Sequence, residues 1–207
     1  MPIDAANNII KKPIIKSGVE QGSRVAVCIE LFCKNQNSEL IKVSSGSGFF
    51  HSRNGKSFFI TNWHVITGRN PSDPSKLINN HPDSPFAFQL HLPRKGNPNH
   101  YVPSEIIPLY ENGEPRWFET VSPKSDSDEK IDLVAIEFNY STTEEGPLVT
   151  PVENFSPDGN DFLHIGRDIV IVGYPFGING ANPYPIWKRG YIGSEPSLLI
   201  DGMPKYF

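Results

Sequence analysis

Residues 45–68 read SGSGFFHSRNGKSFFITNWHVITG. Two apolar runs, 46–51 (GSGFFH) and 57–61 (SFFIT), flank a polar, Gly-containing turn at 52–56. Runs this short, rich in aromatic residues and joined by a turn of about five residues, predict a β-hairpin. Working outward, 24–33 (RVAVCIELFC) is rich in strand-forming residues and reads as a strand, behind a polar lead-in over 1–22.

Downstream, 70–85 is dense in Pro, Ser, Asp and Asn and reads as a surface loop. The alternating stretch 86–92 (FAFQLHL) and the stretch 104–110 read as strands. A charged loop over 122–130 (SPKSDSDEK) precedes 131–138 (IDLVAIEF), a strongly apolar strand. Residues 141–166 are turn-rich and read as a linker between a first unit, 1–140, and a second, 167–207. The second unit opens with 168–173 (DIVIVG) and continues through 186–192 and 198–200. No helical period of any length competes with these strands. The prediction is an all-β chain.

Composition agrees. The 207 residues include 17 Gly and 20 Pro, which helix interiors exclude, with 37% hydrophobic and 20% charged residues, as in soluble globular proteins. A net charge of -4 and no basic face argue against nucleic-acid or anionic-membrane partners. No apolar run approaches the roughly 18 residues of a membrane span, and the start of the chain lacks the apolar core of a targeting signal. Cys28 and Cys33 fall in one strand, some 16 Å apart on opposite faces, too far to bridge. Reduced thiols fit a cytoplasmic location. The six histidines show no metal-binding spacing, and no phosphate-cradling glycine loop is present, so neither a metal nor a cofactor is expected.

His64 follows the apolar strand, among Asn62, Trp63 and Val65. A lone histidine in such a place more often packs than reacts, so position alone does not assign it. The motif around it says more. Thr61-Asn62-Trp63-His64-Val65 resembles the histidine motif of trypsin-like (chymotrypsin-fold) serine peptidases, in particular bacterial members of the HtrA type. Gly46-Ser47-Gly48-Phe49 matches the strand that precedes that motif in the family. The stretch 131–136 (IDLVAI) is similar to the family's aspartate-bearing strand, and 170–177 (VIVGYPFG) with 185–190 (PIWKRG) resembles the first strands of its second barrel.

The resemblance implies a chymotrypsin-like double β-barrel, the first barrel complete and the second incomplete. It implies His64 as general base and Asp132 as the carboxylate that orients it. An aspartate flanked by apolar residues needs a hydrogen-bonding partner in any case, unlike the loop acids Asp126, Asp128 and Glu129. The family's nucleophilic serine lies in a downstream Gly-x-Ser-Gly turn that this sequence lacks. Ser47 matches a structural serine, and Ser194 has no following glycine. The nucleophile, serine or cysteine with serine favoured, is therefore expected beyond Phe207, and the chain alone is expected to be inactive. The implied partners are a peptide or protein substrate and the remainder of the second barrel. The alternative is a non-catalytic peptide-binding or sensing module on the same fold.

Overall fold

The computed structural model describes residues 21–78, 84–120, 130–140, 146–154, 164–175, 184–193, 195, 199–200 and 203–204. A one-turn helix, α1 (Gln21–Val25), leads into β1 (Ala26–Lys34), β2 (Leu40–Arg53) and β3 (Lys56–Thr61). A second short helix, α2 (Trp63–Thr67), precedes β4 (Arg69–Asn70) and β5 (Asp73–Leu77). Then come β6 (Ala87–Pro93), β7 (Tyr101–Pro103), β8 (Ile107–Pro108), β9 (Tyr110–Glu111), β10 (Glu114–Pro115), β11 (Trp117–Glu119) and β12 (Val134–Glu137). The second unit contributes β13 (Asp168–Gly173) and β14 (Ile186–Tyr191), which pair antiparallel. The chain is mainly β, as its composition predicts.

The hairpin over 46–61 is present and longer than its apolar runs suggest. The β2–β3 pairing continues to Arg53↔Lys56, so the turn is two residues, not five. Asn54 and Gly55 both take left-handed backbone angles, φ 53 and 75. That is the geometry for which Asn-Gly is the favoured pair, because its twist matches the strands it joins.

One sheet holds eight of the strands, in the order β11-β12-β3-β2-β1-β6-β7, with β8 also on β6. Every pairing in it is antiparallel. Among the described residues no ring of paired strands closes this sheet into a barrel. The separate β9–β10 hairpin lies between β8 and β11 in the chain, and Leu109 N–H donates to Phe86 O while Arg116 N–H donates to Leu109 O. Alternation places Val27, Ile29 and Leu31 of β1 on one face, where they pack with Phe50, Phe59, Phe88, Leu90, Val134 and Ile136. Trp63 and Ile66 of α2 close over the same core.

Three stretches differ from the sequence reading. The predicted strand 104–110 is broken into β8 and β9, with β7, β10 and β11 around it; Pro103, Pro108 and Pro115 interrupt continuous pairing there. The predicted loop 70–85 contains the β4–β5 pair, and its residues 79–83 lie outside the described ones. The linker is partly docked. Leu148 N–H donates to Pro93 O, and Pro151 bridges Phe50, so 146–154 runs against the sheet.

The two units meet at β1 and β2. Tyr174, after β13, is buried with Ala26, Cys28 and Val172. Cys28 and Cys33 are both buried, on opposite sides of β1 as their odd spacing requires, and the Cys33 thiol donates to Ser84 O at 3.2 Å.

Candidate functional site

Gly46, Ser47 and Gly48 each have a physical reason to be what they are. A Cβ on Gly48 would lie 2.3 Å from the Phe59 ring and 2.5 Å from Ile60 O, so only glycine lets β3 lie so close. A Cβ on Gly46 would meet Val65 at 2.8 Å, so glycine here admits the turn that carries His64. Between them, the Ser47 hydroxyl accepts a hydrogen bond from Tyr174 N–H at 2.7 Å, and Ser47 O accepts one from the Thr61 hydroxyl at 2.8 Å. Ser47 is thus a joint between the units, its hydroxyl already engaged.

Helix α2 starts at once after β3, and Gly68 ends it with φ 68, its N–H donating to His64 O. This single turn lifts His64 off the sheet while Trp63 and Ile66 anchor it in the core. On the facing segment, the strand predicted over 131–138 begins only at Val134. Residues 131–133 stay outside the ladder, and this bend presents the Asp132 carboxylate.

The two meet. His64 Nδ1 lies 2.7 Å from Asp132 Oδ2, and His64 N–H donates to Asp132 Oδ1 at 2.9 Å. Asn62 Nδ2–H donates to Asp132 O at 3.0 Å and to Oδ2 at 3.2 Å. Both side chains of the pair keep about a third of their surface exposed, 36% and 35%, so solvent reaches the site. Burial by itself would raise the Asp132 pKa. The hydrogen bonds from the His64 ring and N–H, the attraction of the imidazole and the Asn62 amide outweigh it and hold the carboxyl below its usual range.

A second layer braces these segments. Trp63 Nε1–H donates to Glu119 Oε2 at 2.8 Å, and Lys130 Nζ donates to Glu119 Oε1 at 3.0 Å. One carboxylate therefore ties the residue before His64 to the residue two before Asp132. Asn62 and Glu119 were not singled out by sequence reasoning. Asn62 carried a signal, an asparagine at the start of a helical turn; Glu119 carried none.

An ionised carboxylate on Nδ1 fixes the imidazole tautomer with its proton on Nδ1, leaving Nε2 as a proton acceptor. That is the arrangement of a general base. Among the described residues no serine or cysteine side chain hydrogen-bonds His64. Ser194 lies outside the described residues, as do Phe176 and Gly177 of the predicted second-barrel turn. Beside Asn62 and Leu133 opens a cavity of about 550 Å³, lined by Phe49, Ile60, Val170, Val172 and Trp187 among others. Trp187 is 44% exposed and donates its indole N–H to the Ser23 hydroxyl. Among the described residues no group of His, Cys, Asp or Glu is arranged to hold a metal ion, and no helix is long and apolar enough to cross a membrane. No protein-family model matches the chain, and no curated protein matches it in sequence.

Proposed function

We propose that this chain carries the acid–base half of a serine-type endopeptidase active site on a chymotrypsin-like fold. The observation that carries the reading is the His64–Asp132 contact, in which one carboxylate grips both the ring and the backbone of one histidine. The barrel reading draws on the β9–β10 hairpin, which lies in the chain between β8, paired with β6, and β11, paired with β12.

In this reading His64 Nε2 takes the proton of a hydroxyl as its oxygen bonds to the scissile carbonyl carbon. The resulting tetrahedral oxyanion collapses, the C–N bond breaks, and the imidazolium returns the proton to the leaving amine. Water then repeats the sequence on the acyl ester, releasing the acid. Asp132 stays ionised and stabilises the imidazolium. The hydroxyl comes from a segment outside these 207 residues, because the sequence holds no Gly-x-Ser-Gly and Ser47 is committed to Tyr174.

The test is hydrolysis of casein and of an activated ester by residues 1–207 and by the product of the complete reading frame. The shorter chain should be inert, and the complete product should lose activity on His64→Ala. Undiminished hydrolysis by the His64→Ala complete product would overturn the peptidase. Turnover by residues 1–207 that His64→Ala abolishes would overturn the external nucleophile.

The apolar cavity next to Leu133 favours one further reading, a non-catalytic peptide-binding module on the same fold. Alanine or glycine where the complete reading frame should have the Gly-x-Ser-Gly serine would select it.

A further inference from the structure

Asn62 holds the N-cap position of α2, with extended backbone angles φ -75 and ψ 144. An asparagine there ordinarily accepts a hydrogen bond from the N–H two or three residues on. Asn62 makes no such bond. The N–H it would serve, that of His64, donates to Asp132 Oδ1 instead. The Asn62 amide has turned away to donate to Asp132 O and Oδ2. Asp132 caps the helix, and the residue built to cap it holds Asp132.

That exchange costs Asn62 its local structural role, so its side chain acts elsewhere. Oδ2 is the same oxygen that faces His64 Nδ1 at 2.7 Å. Two donors share one oxygen, and each draws charge from the other. Among the described residues, the charged groups in contact with or next to the turn include Asp132, the Glu119–Lys130 pair behind Trp63, and Arg69 on β4, whose guanidinium donates to Pro74 O. Asn62 is a neutral donor, so it orients the carboxylate without competing as a cation.

We infer that Asn62 is a positioning residue: it locks the Asp132 carboxylate toward His64 and limits how tightly that carboxylate holds a protonated imidazole. For its catalytic meaning the inference rests on the proposed peptidase role. Without the amide, Oδ2 carries more charge, Asp132 takes up a proton more readily, and the imidazolium is held longer.

The experiment is an NMR titration of residues 1–207, following the Asp132 carboxyl carbon and the low-field His64 Nδ1 proton. Asn62 is exposed, so Asn62→Ala should fold. It should raise the proton affinity of Asp132 by about two- to tenfold, the net worth of one ordinary solvent-exposed hydrogen bond. Asn62→Asp, which sets a second carboxylate beside the first, should raise it further. In both variants the low-field Nδ1 proton should change its chemical shift as the Asp132 contact alters, with the circular dichroism spectrum unchanged. In an active complete product, Asn62→Ala should shift the acid limb of kcat/KM upward. An Asp132 titration and Nδ1 signal indifferent to both substitutions overturn the inference alone. A Nδ1 signal that survives Asp132→Asn overturns the His64–Asp132 pairing beneath it.

Discussion

Asp132 takes two hydrogen bonds from a single residue, the ring Nδ1–H and the backbone N–H of His64, at 2.7 and 2.9 Å. The second of these fixes where the carboxylate sits, and the first fixes the proton on the ring. Asp132→Asn keeps an acceptor for the backbone N–H but sets an amide N–H against Nδ1, or forces the ring proton to Nε2. Under the proposed peptidase role, kcat of the complete product should fall on the order of 10⁴-fold, with KM little changed. Steady-state kinetics on a chromogenic peptide check this.

Ser47 separates a structural serine from a nucleophile. Ser47→Ala leaves the Tyr174 N–H without its acceptor at a buried joint. Stability should drop by roughly 1–3 kcal/mol in urea unfolding, the cost of an unsatisfied buried donor. Hydrolysis by the complete product should survive. Its loss from a folded variant would return Ser47 to the list of nucleophiles.

The two glycines flanking Ser47 should respond unequally to alanine. Gly48→Ala drives a methyl into backbone at Ile60 O as well as the Phe59 ring, and backbone cannot rotate away. Gly46→Ala meets the two Val65 methyl groups, which have some freedom. Thermal melts should show the larger loss for Gly48→Ala, on the order of 3 kcal/mol, as overpacking at a rigid site requires.

Acid should loosen the fold through three carboxylates held below their usual range. For Asp132 and Glu119, burial opposes ionisation, and the His64 contacts and the Lys130 and indole contacts outweigh it. For Glu30, burial is outweighed by Lys42 and His91. A depressed folded pKa contributes stability above the unfolded value of about 4, lost as pH falls through the folded one. Unfolding free energy measured in urea should therefore decline below about pH 4. Glu30→Gln should flatten that decline.

Cys28 should be inert in the native chain. Burial first, then the Glu30 charge, push its thiol up to about 11. Iodoacetamide at pH 8 should label it only after unfolding. Fast labelling of the folded protein would contradict the buried joint between β1 and Tyr174.

The strands legible in the sequence were 24–33 and 86–92, whose apolar residues face one core, and 168–173, a run of β-branched residues; all three appear as strands within a residue or two. The Asn-Gly turn was also legible, but the surrounding Ser52, Arg53 and Lys56 look like loop because their side chains face solvent while their backbones pair. The interval 101–119 was not, because its short edge strands are interrupted by prolines and held by their neighbours rather than by their own pattern. His64 and Asp132 could be paired only through the resemblance of their motifs, since no local property links positions so far apart. The Asn62 and Glu119 contacts depend on side-chain direction across the sheet, which spacing does not encode.

The cap on α2 comes from a residue 68 positions downstream. A five-residue helix has little reason to form unaided, and its own asparagine does not close it. The histidine turn therefore gains its N-terminal cap only once the segment bearing Asp132, just ahead of β12, lies beside it. On the ribosome, a growing chain would carry an unpartnered imidazole through most of the synthesis of its first unit, and would gain the Asp132 contact only once that unit had knitted together.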